Sequence, residues 1–200
     1  LALRDAGVGV MLRRGMIAGA PTTYSEDAFD TDTSSLYTLA GSGSPSFAIS
    51  GGNCTITTPS GSANATVTRN GTSIYNGFVE TETDQATDSG IVLRFVDNNN
   101  HYLLGLSDDS GVSSTNNVVL YRKLSGSYTP IGTILSISWA RGVTKKFRLE
   151  GINSTLNVYV DGALTITVVD TAIASAGKIG MRGNYVSAGS TNRFGVLRWG

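Results

Sequence analysis

Thr155-Leu156-Asn157-Val158-Tyr159-Val160, then Asp161-Gly162, then Ala163-Leu164-Thr165-Ile166-Thr167-Val168-Val169 is the stretch that decides the fold. Leu156, Val158 and Val160 alternate with Asn157, Tyr159 and Asp161, a period of two that puts one set inside a sheet and the other outside. Asp-Gly between two such runs is a hairpin signal, because a tight turn that matches strand twist needs positive φ. The same grammar extends in both directions. Upstream it predicts strands over Ser46–Ser50, Asn53–Thr58, Ala63–Arg69, Ser73–Asp84, Gly90–Val96, His101–Ser107, Asn117–Leu124, Thr129–Leu135 and Lys145–Gly151. Downstream it predicts Gly177–Arg182 and Asn192–Trp199, and only Asp170–Ala176 invites a helical turn. Asn70-Gly71 and Asp97-Asn98-Asn99-Asn100 mark further turns.

Composition agrees. The chain has 200 residues, 40% hydrophobic, which suits a single β domain with a real core. Only 15% of residues are charged, and 25 glycines with many Ser, Thr and Asn supply turns rather than long helices. Fifteen basic and fifteen acidic residues cancel, but unevenly: residues 21–120 carry a net −9 and residues 121–200 a net +7. In a sandwich, strands from both halves interleave, so these sets are expected to meet side by side. No dense Lys/Arg run with interleaved aromatics argues for nucleic acid. No segment is apolar for long enough to form a membrane-spanning helix. The single cysteine, Cys54, excludes an intrachain disulfide and reads as a small strand hydrophobe.

Residues 1–22 stand apart. Val8-Gly9-Val10-Met11-Leu12-Arg13-Arg14-Gly15-Met16-Ile17 is apolar around an arginine pair and runs to Ala20-Pro21. The readings stay open: an N-terminal arm, or remnant of a preceding segment, that packs on a neighbour or on another part of a larger chain, or an extra strand or short helix of the same domain. The β domain proper is then residues 23–200.

Phe147-Arg148-Leu149-Glu150, Leu156-Asn157-Val158-Tyr159-Val160-Asp161-Gly162 and Gly177-Lys178-Ile179-Gly180-Met181-Arg182, in that order, resemble the laminin-G-like members of the concanavalin A-like lectin/glucanase superfamily. Gly90-Ile91-Val92-Leu93-Arg94-Phe95-Val96-Asp97 with His101-Tyr102-Leu103, and the closing Phe194-Gly195-Val196-Leu197-Arg198-Trp199, are similar to further segments of it. The resemblance spans residues 24–199. It implies an all-β, two-sheet antiparallel jelly-roll sandwich with one concave sheet, where relatives bind glycans. The low-charge style also resembles domains of phage virions and their appendages. The function implied is a non-catalytic carbohydrate-binding or attachment module on a virion or cell surface. Its partners would be a glycan or cell-surface polysaccharide and, through residues 1–22, neighbouring virion subunits. The alternatives are a purely structural assembly domain and a glycoside hydrolase of the same fold.

Candidate chemistry follows from alternation. If Ile91, Leu93 and Phe95 point inward, Val92 and Arg94 point outward; Arg94 has a second reading as a buried partner of Asp97. Arg94, Tyr102, Tyr121, Trp139 and Tyr159 are the candidate sugar-binding residues, since sugars are held by aromatic faces and planar hydrogen-bonding groups. Glu80-Thr81-Glu82-Thr83-Asp84 puts three carboxylates on one strand face, and Glu80 with Glu82 is the catalytic alternative. It departs from the E-x-D-x-x-E pattern of hydrolases of this superfamily, and a solvated strand face is the competing reading. No resident cofactor is expected. Calcium, which relatives often bind, would draw on Asp97 and Asn100 or on Asp108 and Asp109, though turn chemistry explains both clusters equally well. His101 reads as a polar turn residue. Four N-x-[ST] sequons, at Asn53, Asn64, Asn70 and Asn153, are expected by chance in so Thr- and Asn-rich a chain.

Overall fold

The computed structural model describes residues 23–59, 64–84, 88–108, 115–132, 134–139, 142–184 and 190–200. Residues 1–22 and Asp109 lie outside them. Among the described residues, the strands in chain order are β1 (Ser25–Asp27), β2 (Tyr37–Ser42), β3 (Ser46–Ser50), β4 (Asn53–Thr58), β5 (Asn64–Arg69), β6 (Gly77–Thr83), β7 (Ser89–Asp97), β8 (Asn100–Asp108) and β9 (Thr115–Leu124). They continue as β10 (Ser127–Pro130), β11 (Leu135–Ser138), β12 (Lys145–Ile152), β13 (Thr155–Val160), β14 (Ala163–Val169), β15 (Lys178–Asn184), β16 (Ser190–Phe194) and β17 (Leu197–Trp199).

Every pairing is antiparallel. A six-stranded sheet has the order β1-β17-β6-β12-β13-β14, and a larger sheet runs β10-β9-β8-β7-β15-β5-β2 with β11 also on β9. A small third sheet, β16-β4-β3, closes one end. This is a jelly-roll sandwich. Ile91, Leu104, Leu120 and Met181 of the larger sheet meet Phe147, Leu149 and Val158 of the smaller one in a single core, with Cys54 and Ile56 from the third sheet. Cys54 is fully buried, and desolvation pushes its thiol up to about 12, so it stays protonated and inert.

Strands read by strict alternation match the structure closely: β3, β4, β13 and β14 have the expected bounds. Differences arise where a turn hides inside an apolar run. The expected strand over 129–135 is two, β10 and β11, both on β9. The closing strand breaks between β16 and β17, where Gly195 N–H bonds the Glu82 carbonyl. Asp170–Ala176 is not helical. Its Asp170 carboxylate accepts from the Tyr102 hydroxyl (2.8 Å), Ala172 N–H (2.9 Å) and Arg122 (2.7 Å), which holds the segment as a loop. β1, β2 and a 3-10 turn at Ser34–Leu36 precede the region that alternation resolves.

One irregularity in β7 reorders two faces of the molecule. Pairing between β7 and β8 is regular from Ser89 to Leu93, then shifts before Asp97. Arg94 sits at φ +51° there, in the left-handed region that costs a non-glycine residue about 1 kcal/mol. The extra residue turns Leu93 and Arg94 both inward. Phe95 is thereby flipped to the opposite face, beside Val92 and Leu103. The alternation reading of this strand, with Phe95 inside and Arg94 outside, is corrected at this bulge.

Candidate functional site

Arg94 is 1% exposed and serves as an internal clamp. Its guanidinium donates to the carbonyls of Tyr75 (3.0 Å), Ile173 (3.1 Å) and Asn153 (2.5 Å), tying three loops together. It lies 4.1 Å from the Tyr75 ring centroid, and a Cβ on Gly151 would come within 3.0 Å of it. The partners of the guanidinium are these carbonyls and not Asp97. Tyr102, fully buried, spends its hydroxyl on Asp170, and Trp139, 2% exposed, packs on Phe147 and donates to the Val143 carbonyl. These three expected sugar-binding residues therefore have no face turned to a ligand.

Glu80 and Glu82 share a face, as alternation requires, on the outside of the six-stranded sheet. Arg198 donates to both (3.2 and 2.9 Å) and to Glu26, and Lys146 stands 3.7 and 3.9 Å from them. Arg148 bonds Glu150, which also accepts from Tyr159 and Asn157 (3.0 and 3.3 Å). The acidic β6 thus meets the basic β12 and β17, and the uneven charge along the chain cancels in space. Each carboxylate of this ladder is engaged, and Tyr159 belongs to it. At the β7–β8 turn, Asp97 accepts from Asn99 N–H (2.7 Å) and the Asn100 amide (2.9 Å), while Asn100 accepts from Ser125 N–H. That is turn chemistry. Among the described residues no group of three or more His, Cys, Asp or Glu side chains is placed to hold a metal.

Tyr121 alone of the expected aromatics faces outward from the larger sheet, half-buried against Val92, Phe95 and Leu103. Cross-strand register assembles a site around it. Leu103 pairs with Tyr121, His101 with Lys123, and Lys123 with Tyr128. The His101 ring stacks on Phe95 (5.2 Å, 25°) and meets Tyr128 edge-on at 6.0 Å; Tyr121 meets Tyr128 at 5.9 Å. Gly105 makes room for Tyr121, since a Cβ there would lie 3.0 Å from the ring.

Two cations lie against Tyr128: Lys123 at 4.7 Å and Arg182 at 5.5 Å from its centroid. Tyr128 and Arg182 stand on β10 and β15, four strand spacings apart, about 19 Å on a flat sheet at ~4.8 Å each. Their side chains meet because the sheet curls toward its outer face. Arg182 also reaches Asp88 (3.5 Å), which accepts from Asn184. Lys123 has no ion pair among the described residues.

His101 is the anomaly here. It is fully buried, its Nδ1 donates to the Asp97 carbonyl (3.2 Å), and its Nε2 has no hydrogen-bond partner among the described residues. Desolvation pushes its pKa down to about 4, with Lys123 and Arg182 adding to the shift, so at neutral pH Nε2 is a bare lone-pair acceptor. Pattern alone does not single out Phe95, His101, Lys123, Tyr128 or Arg182 as ligand-binding residues. One signal does point to this face: Ile91-Val92-Leu93 and Tyr102-Leu103-Leu104 are apolar on both sides, which marks strands covered on both sides.

No protein-family model matches this chain, and no curated protein matches it. Solved structures do. A structure described as a native glycosidic hydrolase aligns over 92% of this chain and 98% of its own, with a TM-score of 0.65 at 14% identity. The carbohydrate-binding module CBM66 from Bacillus subtilis aligns over 79% and 91%, with a TM-score of 0.57 at 13% identity. The kappa-carrageenase from Pseudoalteromonas carrageenovora, in complex with an oligotetrasaccharide of kappa-carrageenan, aligns over 93% and 98%, with a TM-score of 0.59 at 10% identity. The likeness is one of fold. This jelly roll is shared by carbohydrate-binding modules and by glycoside hydrolases, and at such identities it does not choose between them.

Proposed function

We propose that the chain is a non-catalytic glycan-binding module whose site is the outer face of the larger sheet around Tyr121, Tyr128 and His101. The observation that carries this is the Nε2 of His101, buried among aromatic rings without a hydrogen-bond partner among the described residues, beside a lysine that makes no ion pair among them. Aromatic edges and faces, a hydroxyl-seeking acceptor and cationic donors are what a sugar ring needs. Hydrolysis needs two carboxylates facing the ligand. Among the described side chains this face offers Asp88 and Asp97, and both are engaged by neighbours. That favours binding over turnover. The same reading places the module on an exterior, of a cell or a virion, where its low charge and polysaccharide target fit together.

The test is a glycan library screened against the wild type and Tyr128→Ala. Binding that Tyr128→Ala weakens, with no release of reducing sugar, is the expected result. Absence of binding to every glycan, or reducing sugar released by the wild type, overturns it.

A further inference from the structure

We infer that the preferred ligand is an acidic glycan, bearing a carboxylate or sulfate, with His101 Nε2 accepting from one of its hydroxyls. This rests on the glycan-binding reading above and goes further, to the class of sugar. The ground for it is how the charges are held. On the outer face of the smaller sheet every described cation is matched by a carboxylate. On this face Lys123 is held 4.7 Å from the centre of a tyrosine ring, which attracts a cation without cancelling its charge. Arg182 meets the same ring and, among the described residues, has Asp88 as its one carboxylate partner. Lys178, half-buried beside Phe95 in the register of β15 and β7, has no ion pair among the described residues.

Among the described side chains Lys123, Arg182 and Lys178 outnumber Asp88 and Asp97, which leaves an excess of positive charge around an apolar floor of Val92, Leu103 and Phe95. Lys123 itself is shifted down, first by desolvation and then by Arg182, with Asp97 opposing. An acid group supplies the missing counter-charge, and a low-dielectric floor strengthens that pairing.

His101 supplies the second half. Its Nδ1 is committed to the Asp97 carbonyl at the turn, which leaves Nε2, on the other side of the ring, as the free acceptor. A buried acceptor without a donor is unfavourable in the free protein, and a ligand hydroxyl relieves it. Nε2 is sealed from solvent in the free protein, and the Tyr128 ring that meets His101 edge-on, 39% exposed on the exposed strand β10, is what a ligand would displace to reach it.

Titration calorimetry tests this with oligogalacturonides (carboxylate), carrageenan oligosaccharides (sulfate without carboxylate) and neutral xylo- and malto-oligosaccharides of equal length. At least one acidic series is expected to bind about tenfold or more tightly than the neutral ones at low salt. Lys123→Gln should bring that ratio toward one. His101→Phe keeps the stack on Phe95 but removes the acceptor, and should weaken acidic and neutral ligands alike by about tenfold. Which acidic series responds separates carboxylate from sulfate. Equal affinity for neutral and acidic sugars, or a ratio unmoved by Lys123→Gln, overturns the inference while leaving glycan binding intact. No binding to any of the four series overturns the inference, and no binding across the whole glycan library removes the reading beneath it as well.

Discussion

The two outer faces of this sandwich are built from the same kinds of residue and reach opposite states. On the six-stranded sheet, Glu26, Arg198, Glu80, Glu82, Lys146, Arg148 and Glu150 form a ladder in which acid follows base across neighbouring strands. On the larger sheet, Lys123 and Arg182 lean on Tyr128, and His101 hides an unused lone pair. The first face is satisfied within itself and discourages edge and face association. The second is incomplete, and incompleteness on a curled face is where a ligand gains binding energy. Charge content does not separate the two; the availability of partners does.

Arg94 is the hinge of that contrast, because its inward turn sends Phe95 outward. Arg94→Ala is expected to have the largest effect of any single substitution at these faces, about 3–5 kcal/mol, since three loop carbonyls lose their donor and a cavity opens. Urea unfolding measures it. The same variant should also lose the stacking under His101. A loss below about 1 kcal/mol would mean that the bulge is held by something other than the guanidinium.

His101 gives the next effect, read in pH. Its folded pKa, about 4, lies below the unfolded value near 6.5. The unfolded chain therefore takes up a proton first as pH falls, and stability drops between pH 6.5 and 4, by on the order of 3 kcal/mol. Asp97 at the turn opposes the shift, while Lys123 and Arg182 reinforce it. Chemical denaturation at pH 7 and 4.5, compared with His101→Gln, isolates the histidine from the carboxylates that titrate nearby. A variant with the same pH slope as the wild type would show that the ring is not held neutral.

Tyr128→Ala follows. Losing the ring against which both cations lie should weaken glycan binding by about 1–2 kcal/mol, near tenfold, with little change in unfolding midpoint because the strand is exposed. Tyr159→Ala, on the satisfied face, should leave affinity unchanged. If the two variants behaved alike, the asymmetry between the faces would be lost.

Alternation makes the sandwich legible: Ile91, Leu93, Leu156, Val158 and Val160 all lie inside, and the β13–β14 hairpin turns at Asp161-Gly162. The site is far less legible, for a local reason. A bulge inverts side-chain direction for the residues beyond it, and nothing in Leu93-Arg94-Phe95 announces one. Strict alternation therefore assigns Arg94 to a ligand and Phe95 to the core, the reverse of their places. Tyr102 and Trp139 mislead differently: each has a polar tip that suits a sugar, yet each finds its partner in a loop remote in sequence or across a short turn. Lys123 and Arg182 cannot be paired from sequence, because their meeting at Tyr128 depends on the curl of the sheet.

The smallest effect tests the satisfied face directly. Glu80→Gln with Glu82→Gln removes two negative charges but keeps shape and hydrogen-bonding oxygens. Arg198 retains Glu26 and Lys146 is already partly exposed, so the charge loss is mostly screened. Ion pairs near a surface contribute about 0–1 kcal/mol each and share their cations here, and the glutamine oxygens still accept from Arg198, so the double variant should lose about 1 kcal/mol, less in high salt. Glycan affinity should not move at all, because these carboxylates lie on the opposite side of the core from Tyr128. A hydrolase reading predicts instead that any reducing-sugar release by the wild type vanishes in the double variant. The same preparation, measured for unfolding midpoint at low and high salt and for reducing-sugar release, therefore decides whether this pair stabilises a surface or works on a substrate.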